Sequence, residues 1–359
     1  MKPLMQLPQA QAQEKLEMEK FLSLHLIKLS ELEQVRLVKT QYKTYLKLSK
    51  KPIIFLLGPT ASGKTDWAIE WQNQFEALEI ISVDSVMVYK ECNVGSAKPS
   101  DATLEKHPHH LVNHVSLDSI FSVADFYAAA MQLIDNIHAT AKIPLMVGGS
   151  MMYFNLLKKG ISTLPSADRQ LRDELEEKIL INGTEALHSD LKKLDPKAAD
   201  NIKPQDSQRI IRAIEIITAT GMSLNANLEF LQTSQLKEKY NLIEFGIFPS
   251  DRSKLHERIE SRQEMLVGDK LIEEIAQIQK TFKISAEHPA MKAINYRQGL
   301  QVLEGKLDKA ELFKKSLYAT RQLAKRQCTW MRGWENLTYF DLHQREEATE
   351  QLKKYLNFP

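Results

Sequence analysis

The sequence predicts an α/β protein with a parallel sheet, flanking helices and a helical insertion. Three observations predict this fold. An apolar run from Ile53 to Leu57 leads directly into Gly58-Pro59-Thr60-Ala61-Ser62-Gly63-Lys64-Thr65, which fits the phosphate-loop pattern G-x-x-x-x-G-K-[ST]. Further apolar runs alternate with helical patterns, as parallel crossover units require. A charged, helix-rich stretch from about residue 164 then interrupts this alternation.

The phosphate loop predicts a site for a di- or triphosphate. Its glycines let backbone N–H groups turn toward phosphate oxygens, Lys64 adds a positive charge, and the Thr65 hydroxyl is placed to bind Mg²⁺. Asp66 to Trp71 begins a helix whose N-terminal dipole favours the same anion. A strand before the loop and a helix after it favour this interpretation over a glycine-rich turn without a ligand. The predicted sheet is therefore P-loop NTPase-like.

Two further apolar runs, Glu79 to Asp84 and Ile143 to Val147, predict strands, with a helix at Val123 to His138 between them. Asp84 and Ser150 follow these strands, at the sheet edge where a doubly wound fold binds its ligands. Asp84 would hold Mg²⁺ through water, as in a P-loop NTPase, or would be a general base for an acceptor beside the phosphates. The residues alone leave both roles open.

The predicted domain order places the catalytic core in two segments, residues 51–163 and 204–340, around a helical insertion at 164–203. Residues 1–50 are predicted to be an N-terminal extension, helical or disordered, and residues 341–359 a C-terminal helix or tail. The later elements predicted by periodicity and capping are helices at Arg169 to Ile181 and Ile210 to Ala219, a strand at Leu242 to Phe248, and long helical stretches at roughly Leu255 to Thr281 and Leu312 to Trp330.

Composition excludes several classes of protein. No apolar run approaches the roughly 18 residues of a membrane helix, so we expect a soluble chain without membrane contact. The two cysteines, Cys92 and Cys328, cannot form a C-x-x-C site or a disulfide framework, which suits a reducing cytosol. The net charge is only +2, so nucleic-acid binding has to come from local basic clusters.

Two basic segments are candidates for such clusters. Ala319 to Trp334 carries bases at helical spacing with aromatic residues after them, which suits a surface that follows a nucleic-acid backbone. A solvated helix face is the commoner explanation of such a charge pattern. Lys292 to Gln298 has the same ambiguity, because Tyr296 and Arg297 could stack on a base or pack within the fold.

Eight motifs occur in one order along the chain. They are GPTASGKT at Gly58 to Thr65, SVDS at Ser82 to Ser85, VGSAKP at Val94 to Pro99, VGGS at Val147 to Ser150, LPSAD at Leu164 to Asp168, QDSQR at Gln205 to Arg209, NYRQ at Asn295 to Gln298, and TRQLAKRQ at Thr320 to Gln327. Together they resemble the tRNA dimethylallyltransferases, also called tRNA isopentenyltransferases, from about Lys51 to Trp334. No C-x-x-C with paired histidines follows Trp334, so the resemblance is to the bacterial type.

The resemblance implies transfer of a dimethylallyl group from dimethylallyl diphosphate to N6 of the adenosine at tRNA position 37, beside the anticodon, with Mg²⁺ as cofactor. Lys64, the loop N–H groups and Mg²⁺ would stabilise the departing diphosphate. Thr60 would donate to its bridging oxygen, and Asp84 would be the general base. The implied partners are dimethylallyl diphosphate and the anticodon stem-loop of tRNA, bound by a cytoplasmic monomer.

The resemblance also implies contact residues. Arg258 and Arg262 would add to the diphosphate site, although solvated helix arginines would look the same. Ser150 and Arg172 would flank the channel through which the base enters, and the insertion would contact tRNA. The tRNA contacts implied are Asp84, Ser85, Val86, Met87, Gln205, Asp206, Ser207, Gln208, Arg209, Lys292, Ala293, Ile294, Asn295, Tyr296 and Arg297.

The chain departs from the family pattern at three positions. Many members carry Gln where this chain has Met87, Thr where it has Ser150 and Gly where it has Asn295. Ser150 keeps the hydroxyl, and Asn295 can adopt the left-handed backbone that glycine often signals. Met87 lacks an amide that could hydrogen-bond the adenine.

Three other functions stay open. An adenylate isopentenyltransferase would need neither the insertion nor the basic block, because its acceptor is a free nucleotide. A small-molecule kinase or NTPase would use the same loop for ATP, but the sequence shows no clear lid motif and no second strand-end carboxylate for Mg²⁺. A non-catalytic RNA-binding protein with a relict loop would not need Thr60, Lys64, Thr65 and Asp84 to be intact.

Overall fold

The computed structural model describes residues 50–160, 168–229 and 235–356. The chain divides into two units, Met1–Lys51 and Pro52–Pro359, and every strand and helix named below belongs to the second. The predicted extension at residues 1–50, apart from Lys50, lies outside the described residues. So do residues 164–167, where the insertion is predicted to begin, and the last three residues of the predicted C-terminal segment.

Within the described residues, six parallel strands form one sheet in the order β3-β2-β4-β1-β5-β6. The strands are β1 (Pro52–Leu57), β2 (Leu78–Val83), β3 (His109–His110), β4 (Ile143–Gly148), β5 (Asn241–Ile247) and β6 (Thr338–Phe340). The predicted parallel α/β fold is confirmed, and each of the four predicted strands lies within one residue of its predicted bounds. β3 and β6 were not predicted, because two or three residues are too few to show a periodicity.

Helices cover both faces of this sheet. They are α1 (Lys64–Gln74), α2 (Asp101–Lys106), α3 (Val123–Ala139), α4 (Met151–Lys159), α5 (Arg169–Asn182), α6 (Thr184–Leu194), α7 (Pro196–Asn201), α8 (Ser207–Thr220), α9 (Leu224–Glu229), α10 (Gln235–Lys239), α11 (Arg252–Leu266), α12 (Asp269–Phe282), α13 (Pro289–Lys292), α14 (Tyr296–Leu303), α15 (Leu312–Arg332) and α16 (Arg345–Leu356). Alternate residues of β1 face opposite helical layers: Phe55 packs with α3 and α4, and Leu56 packs with α1 and α16. Both faces are buried, which explains why the strand is apolar throughout.

Helices α5 to α8 share a separate apolar core. Leu187 and Leu191 of α6 are fully buried in it against Ile210 and Ile214 of α8. The helical cluster therefore continues past residue 203, the predicted end of the insertion. The reason is that the apolar face of α8 packs on α5 and α6, which sequence order alone does not show.

The long helical stretch predicted at roughly Leu255 to Thr281 consists of two helices. α11 ends at Leu266, and α12 begins after Gly268. α11 packs on α15, whereas α12 packs on α14, so the chain has to change direction between them. Buried apolar residues recur at helical spacing in both helices, so periodicity alone did not reveal the break.

The C-terminal helix α16 belongs to the core. Ala348 and Leu352 are fully buried against the sheet, and the Trp71 indole N–H donates to the Thr349 hydroxyl at 2.8 Å. None of the described helices has both the length and the apolar character needed to cross a membrane.

Candidate active site

The phosphate loop joins β1 to α1 at the carboxyl edge of the sheet. Gly63, which precedes α1, has a φ of 89°, a left-handed conformation that glycine adopts without steric cost. The Ser62 N–H closes the loop by donating to the Pro59 carbonyl at 3.2 Å. The Lys64 ammonium donates to the same carbonyl at 3.2 Å, which holds this charge at the loop.

A cavity of about 530 Å³ opens beside the loop, at the carboxyl ends of β2 and β4. It brings together residues that the sequence analysis singled out in five separate segments. These residues are Thr60, Lys64, Thr65, Asp84, Ser85, Val86, Met87, Ser150, Arg262, Lys292, Ala293, Ile294 and Asn295. The predicted phosphate site and most of the predicted acceptor site therefore share one space.

Two cations give the loop end of the cavity its charge. Burial, and to a smaller extent the charge of Arg262, lowers the pKa of Lys64 from its ordinary 10.5 to about 8, against the opposing charge of Asp84. Burial also lowers the pKa of Arg262, against the opposing charges of Asp84 and Asp66. Arg262 donates to the Ala97 carbonyl at 3.3 Å, which fixes its position. Two cations held close together in a partly buried site favour an anionic ligand.

Arg258, the other predicted diphosphate residue on α11, lies against the loop backbone. A Cβ atom on Gly63 would come within 2.8 Å of the Arg258 guanidinium. Arg258 does not line the cavity, and neither do Gly58, Pro59, Ala61, Ser62 and Gly63. Loop residues act on phosphate through backbone N–H groups, so their predicted contact, like that of Arg258, stays a prediction.

Asp84 is oriented by the turn that follows β2. Its Oδ1 accepts the backbone N–H groups of Val86 at 2.8 Å and Met87 at 3.0 Å. None of the described residues donates to Oδ2. Because Asp84 also lines the cavity, one carboxylate oxygen is available to accept a proton from a bound acceptor.

Gln327 of α15 links the phosphate loop to the end of β4. The Thr60 N–H donates to its side-chain oxygen at 2.9 Å, and its side-chain N–H donates to the Gly149 carbonyl at 2.9 Å. The sequence analysis placed Gln327 in the basic block but gave it no role, because only the folded chain brings it to the loop. The same helix presents Thr320, Leu323, Arg326 and Trp330 to the cavity.

Glu274 of α12 binds the backbone at the start of the VGSAKP motif. Its carboxylate accepts the backbone N–H groups of Asn93, Val94 and Gly95 at 3.1, 2.8 and 3.2 Å. It also accepts the Tyr296 hydroxyl at 2.7 Å, and the Asn295 side chain donates to the Gly95 carbonyl at 2.9 Å. Sequence reasoning missed Glu274, because a glutamate on an amphipathic helix carries no local signal for such a role.

The structure contradicts the predicted contact of the Tyr296 side chain with tRNA. Tyr296 was included among the tRNA contacts, but its side chain is fully buried and its ring packs against Gly95, where an added Cβ atom would lie 2.6 Å from the ring. The side chain therefore packs within the fold, the second of the two options that the sequence left open. Arg297, the next residue, is exposed and does not line the cavity.

The remaining predicted tRNA contacts lie on the helical cluster, outside the cavity. Arg172 makes a bidentate ion pair with the buried Glu215, at 2.8 and 3.1 Å, which ties α5 to α8. Asp206 caps α8 by accepting the Arg209 N–H at 3.3 Å. The residues of this group with exposed side chains are Gln205, Gln208 and Arg209, and Ser207 is half-buried. Contact of this group with RNA stays a prediction.

Comparisons with known proteins agree on one family. The family described as IPP transferase matches residues 87–334. A tRNA dimethylallyltransferase of Nitrosomonas eutropha is 42% identical over 288 residues, which cover 80% of this chain and 90% of that protein. One of Legionella pneumophila is 42% identical over 291 residues, covering 81% and 92%. The crystal structure of a full-length tRNA isopentenylpyrophosphate transferase of Bacillus halodurans is 32% identical, covers 86% of this chain and 97% of its own, and has a TM-score of 0.62.

Proposed function

This chain belongs to the IPP transferase family, and on that premise we propose that it transfers a dimethylallyl group from dimethylallyl diphosphate to N6 of an adenosine in tRNA, at position 37 beside the anticodon. The observation that carries the proposal is the shared cavity. Lys64 at one end suits a diphosphate, and Asp84 lines the same space with a free carboxylate oxygen.

The proposed reaction is a displacement at C1 of the dimethylallyl group. The lone pair of N6 forms the new bond to C1, while the bond from C1 to the bridging oxygen breaks and its electron pair stays on the diphosphate. Negative charge therefore develops on the diphosphate as it leaves. Lys64, Arg262 and the loop N–H groups stabilise that charge, and Thr60 donates to the bridging oxygen.

Asp84 removes the N6 proton. The lone pair of an adenine amino group is delocalised into the ring, so N6 is a weak nucleophile until its proton has an acceptor. Since Oδ1 is engaged by two backbone N–H groups, Oδ2 is the oxygen that takes the proton. General-base catalysis of this kind contributes roughly 10²–10⁴-fold in rate. Of the two roles that the sequence left open for Asp84, we therefore propose the general base.

The residues present fit Mg²⁺ with one protein ligand. The Thr65 hydroxyl lines the cavity next to Lys64, and oxygen donors are the ligands that Mg²⁺ prefers. Among the described residues there is no group of three or more His, Cys, Asp or Glu side chains that could hold a metal, so the other ligands would be diphosphate oxygens and water. When bound, Mg²⁺ supplies positive charge to the diphosphate.

The acceptor adenine has to leave its stack in the anticodon loop to enter this cavity. A volume of about 530 Å³ lies within the range of small-molecule sites, about 300–1,000 Å³. Met151, Leu266 and Leu323 supply apolar wall for the dimethylallyl group.

We also propose that the protein acts as a cytoplasmic monomer, which size-exclusion chromatography with light scattering tests.

The first test incubates the purified protein with Mg²⁺ and radiolabelled dimethylallyl diphosphate. Parallel reactions contain either an unmodified anticodon stem-loop RNA or AMP. We expect label in the RNA only. Label in AMP would move the assignment to a free-nucleotide acceptor, and ATP hydrolysis without transfer would favour a kinase or NTPase.

An Asp84→Asn variant tests the mechanism. We expect it to bind RNA normally and to lose roughly 10²–10⁴-fold in single-turnover rate. Asp101→Asn, on the exposed start of α2, is the matched control and should transfer at the wild-type rate. Unchanged turnover in Asp84→Asn would exclude Asp84 as the base.

A further inference from the structure

A second cleft, here called the basic cleft, lies on another face of α15. It is formed by the segment after β5, the start of α11 and the end of α15, and it encloses about 70 Å³. Its lining residues include Phe248, Arg252, His256, Lys325, Cys328 and Arg332. None of them lines the active-site cavity, so this is a separate site.

The basic cleft has a uniform charge. Arg252, Lys325 and Arg332 are cations, His256 becomes one on protonation, and no Asp or Glu lines the cleft. In the part of the chain that the structure describes, none of these four side chains makes an ion pair. The adjacent carboxylate of Asp251 is engaged in capping α11, where it accepts the Ser253 N–H at 2.8 Å.

Two neighbouring side chains, Phe248 and Cys328, show where the arginines of the cleft lie. The Arg332 guanidinium lies 5.3 Å from the Phe248 ring centroid, a cation–π contact that holds this cation at the cleft. Cys328 is buried in the wall of the cleft, where burial raises the pKa of its thiol and the charges of Arg332 and Arg252 oppose the rise. Both guanidinium groups are therefore close to a neutral, apolar wall.

The size of the cleft restricts its ligand. A single ordered water needs about 10–15 Å³, so 70 Å³ accommodates a small tetrahedral group but is far smaller than the cavity that would take the adenine. Guanidinium groups are suited to bidentate contacts with phosphate oxygens, and an ammonium contributes a point charge. A phosphate group matches this size and charge.

The position of the cleft indicates where that phosphate comes from. Arg326 and Trp330 of α15 line the active-site cavity, whereas Lys325 and Thr329, each one position away, line the basic cleft. An α-helix with its side chains is about 10–12 Å across, and nucleotides of one strand in a duplex are about 3.4 Å apart along the axis. An RNA strand that passes from one face of α15 to the other would therefore cover about three nucleotides.

We propose that the basic cleft binds a phosphodiester of the tRNA backbone, a few nucleotides from the acceptor adenosine. The proposal rests on the proposed function, because it takes tRNA as the substrate. The cleft contributes to RNA affinity and fixes the position of the RNA strand on α15, but it touches neither dimethylallyl diphosphate nor the reacting atoms.

The test is a Lys325→Gln/Arg332→Gln double variant, assayed for transfer to the anticodon stem-loop RNA at several salt concentrations. We expect KM for the RNA to rise about tenfold at low salt, while kcat and KM for dimethylallyl diphosphate stay at wild-type values. The slope of log KM against log salt should fall by about 0.7–0.9 for each RNA phosphate that the variant no longer neutralises.

Two matched variants serve as controls. Lys315→Gln removes an exposed charge from the same helix, about 15 Å along its axis from Lys325, and lines neither site, so it should leave KM and the salt slope unchanged. Lys325→Arg/Arg332→Lys keeps the charges and should restore most of the RNA affinity. An unchanged KM and salt slope in the glutamine double variant would overturn the proposal.

A third result would identify a different ligand. If the double variant changes inhibition by inorganic phosphate but not KM for the RNA, the cleft takes a free anion and the proposal is wrong. Failure of the proposed function looks different, because the wild type would then transfer no label. Fluorescence anisotropy of labelled stem-loop RNA tests the cleft independently of turnover, since binding by the wild type and the variant can still be compared.

Discussion

The Thr60 backbone N–H donates to the Gln327 side-chain oxygen at 2.9 Å, although the two residues are 267 positions apart in the chain. The other half of the same amide donates to the Gly149 carbonyl. One side chain of α15 therefore sets the spacing between the phosphate loop and the end of β4, the two walls between which transfer is proposed to occur.

A Gln327→Glu variant should weaken binding of dimethylallyl diphosphate. The substitution keeps the acceptor for Thr60 but replaces the donor to Gly149 by a second oxygen, and it adds a negative charge beside the phosphate loop. We expect KM for dimethylallyl diphosphate to rise about tenfold or more, equivalent to about 1.4 kcal/mol. Gln322→Glu, on the same helix but outside the cavity, should have little effect in the same steady-state assay. Equal KM values for the two variants would contradict a role for the amide.

The affinity for dimethylallyl diphosphate should fall above about pH 8. The pKa of Lys64 in the folded protein is lowered from its ordinary 10.5 to about 8, so Lys64 is charged below pH 8 and loses its charge above it. Binding of a diphosphate favours the charged form, and KM should therefore be flat below pH 8 and rise above it. Steady-state measurements from pH 6.5 to 9.5 check this, with Lys64→Arg as a variant whose KM stays flat over the range. A wild-type KM that stays constant to pH 9.5 would show that Lys64 keeps its proton there.

The same lowered pKa has the opposite effect on stability: as the pH rises, the affinity for the diphosphate falls, but the contribution of Lys64 to the stability of the fold increases. Between about pH 8 and 10.5 the unfolded chain binds more protons at Lys64 than the folded chain does, so the contribution of this group to the free energy of unfolding rises with pH.

Glu274→Gln should loosen the segment that carries Gly95. The carboxylate accepts three backbone N–H groups and one hydroxyl, and an amide cannot accept all four because its nitrogen is a donor. We expect a loss of about 1.5–3 kcal/mol in the free energy of unfolding by urea, with a higher KM for RNA. Tyr296→Phe removes only one of these bonds and should cost less. A Glu274→Gln protein as stable as the wild type would show that the carboxylate is not needed.

Asn295→Gly should stabilise the protein. Asn295 has φ 75° and ψ −52°, a γ-turn geometry with positive φ that is strained for a residue with a side chain. Glycine removes this strain and loses one bond, from Nδ2 to the Gly95 carbonyl. We expect a gain of about 1 kcal/mol in the free energy of unfolding. A lower midpoint in urea would mean that the missing bond outweighs the strain.

Lys158→Met should strongly destabilise the fold. Lys158 donates to both oxygens of Glu244 at 2.9 Å, and the two side chains are only 7% and 4% exposed. The single substitution leaves a buried carboxylate without its cation, at a cost of about 3–5 kcal/mol. A Lys158→Met/Glu244→Leu double variant removes both charges and should recover most of the loss. Urea denaturation of the three proteins tests this, and a single variant as stable as the double variant would argue against the pairing.

Sequence patterns predicted most of the elements because the patterns are local. The buried strand, the glycines and Lys64 of the phosphate loop are consecutive in the chain, and each residue there is constrained by its neighbours. Periodicity was less informative where an element is very short, as at β3, or where two amphipathic helices follow each other, as at α11 and α12. The order of motifs also indicated the family, which the comparisons confirm.

The sequence by itself therefore determined the parallel α/β fold, the phosphate loop, the family and thirteen of the residues that line the cavity. Only the tertiary structure decided that Gln327 meets Thr60, that Glu274 takes up three backbone N–H groups, and that Tyr296 is a packing residue. Each of these contacts joins segments that are distant in the chain. Their partners are chosen by how helices pack on the sheet, and a local pattern of charge or hydrophobicity does not specify that packing.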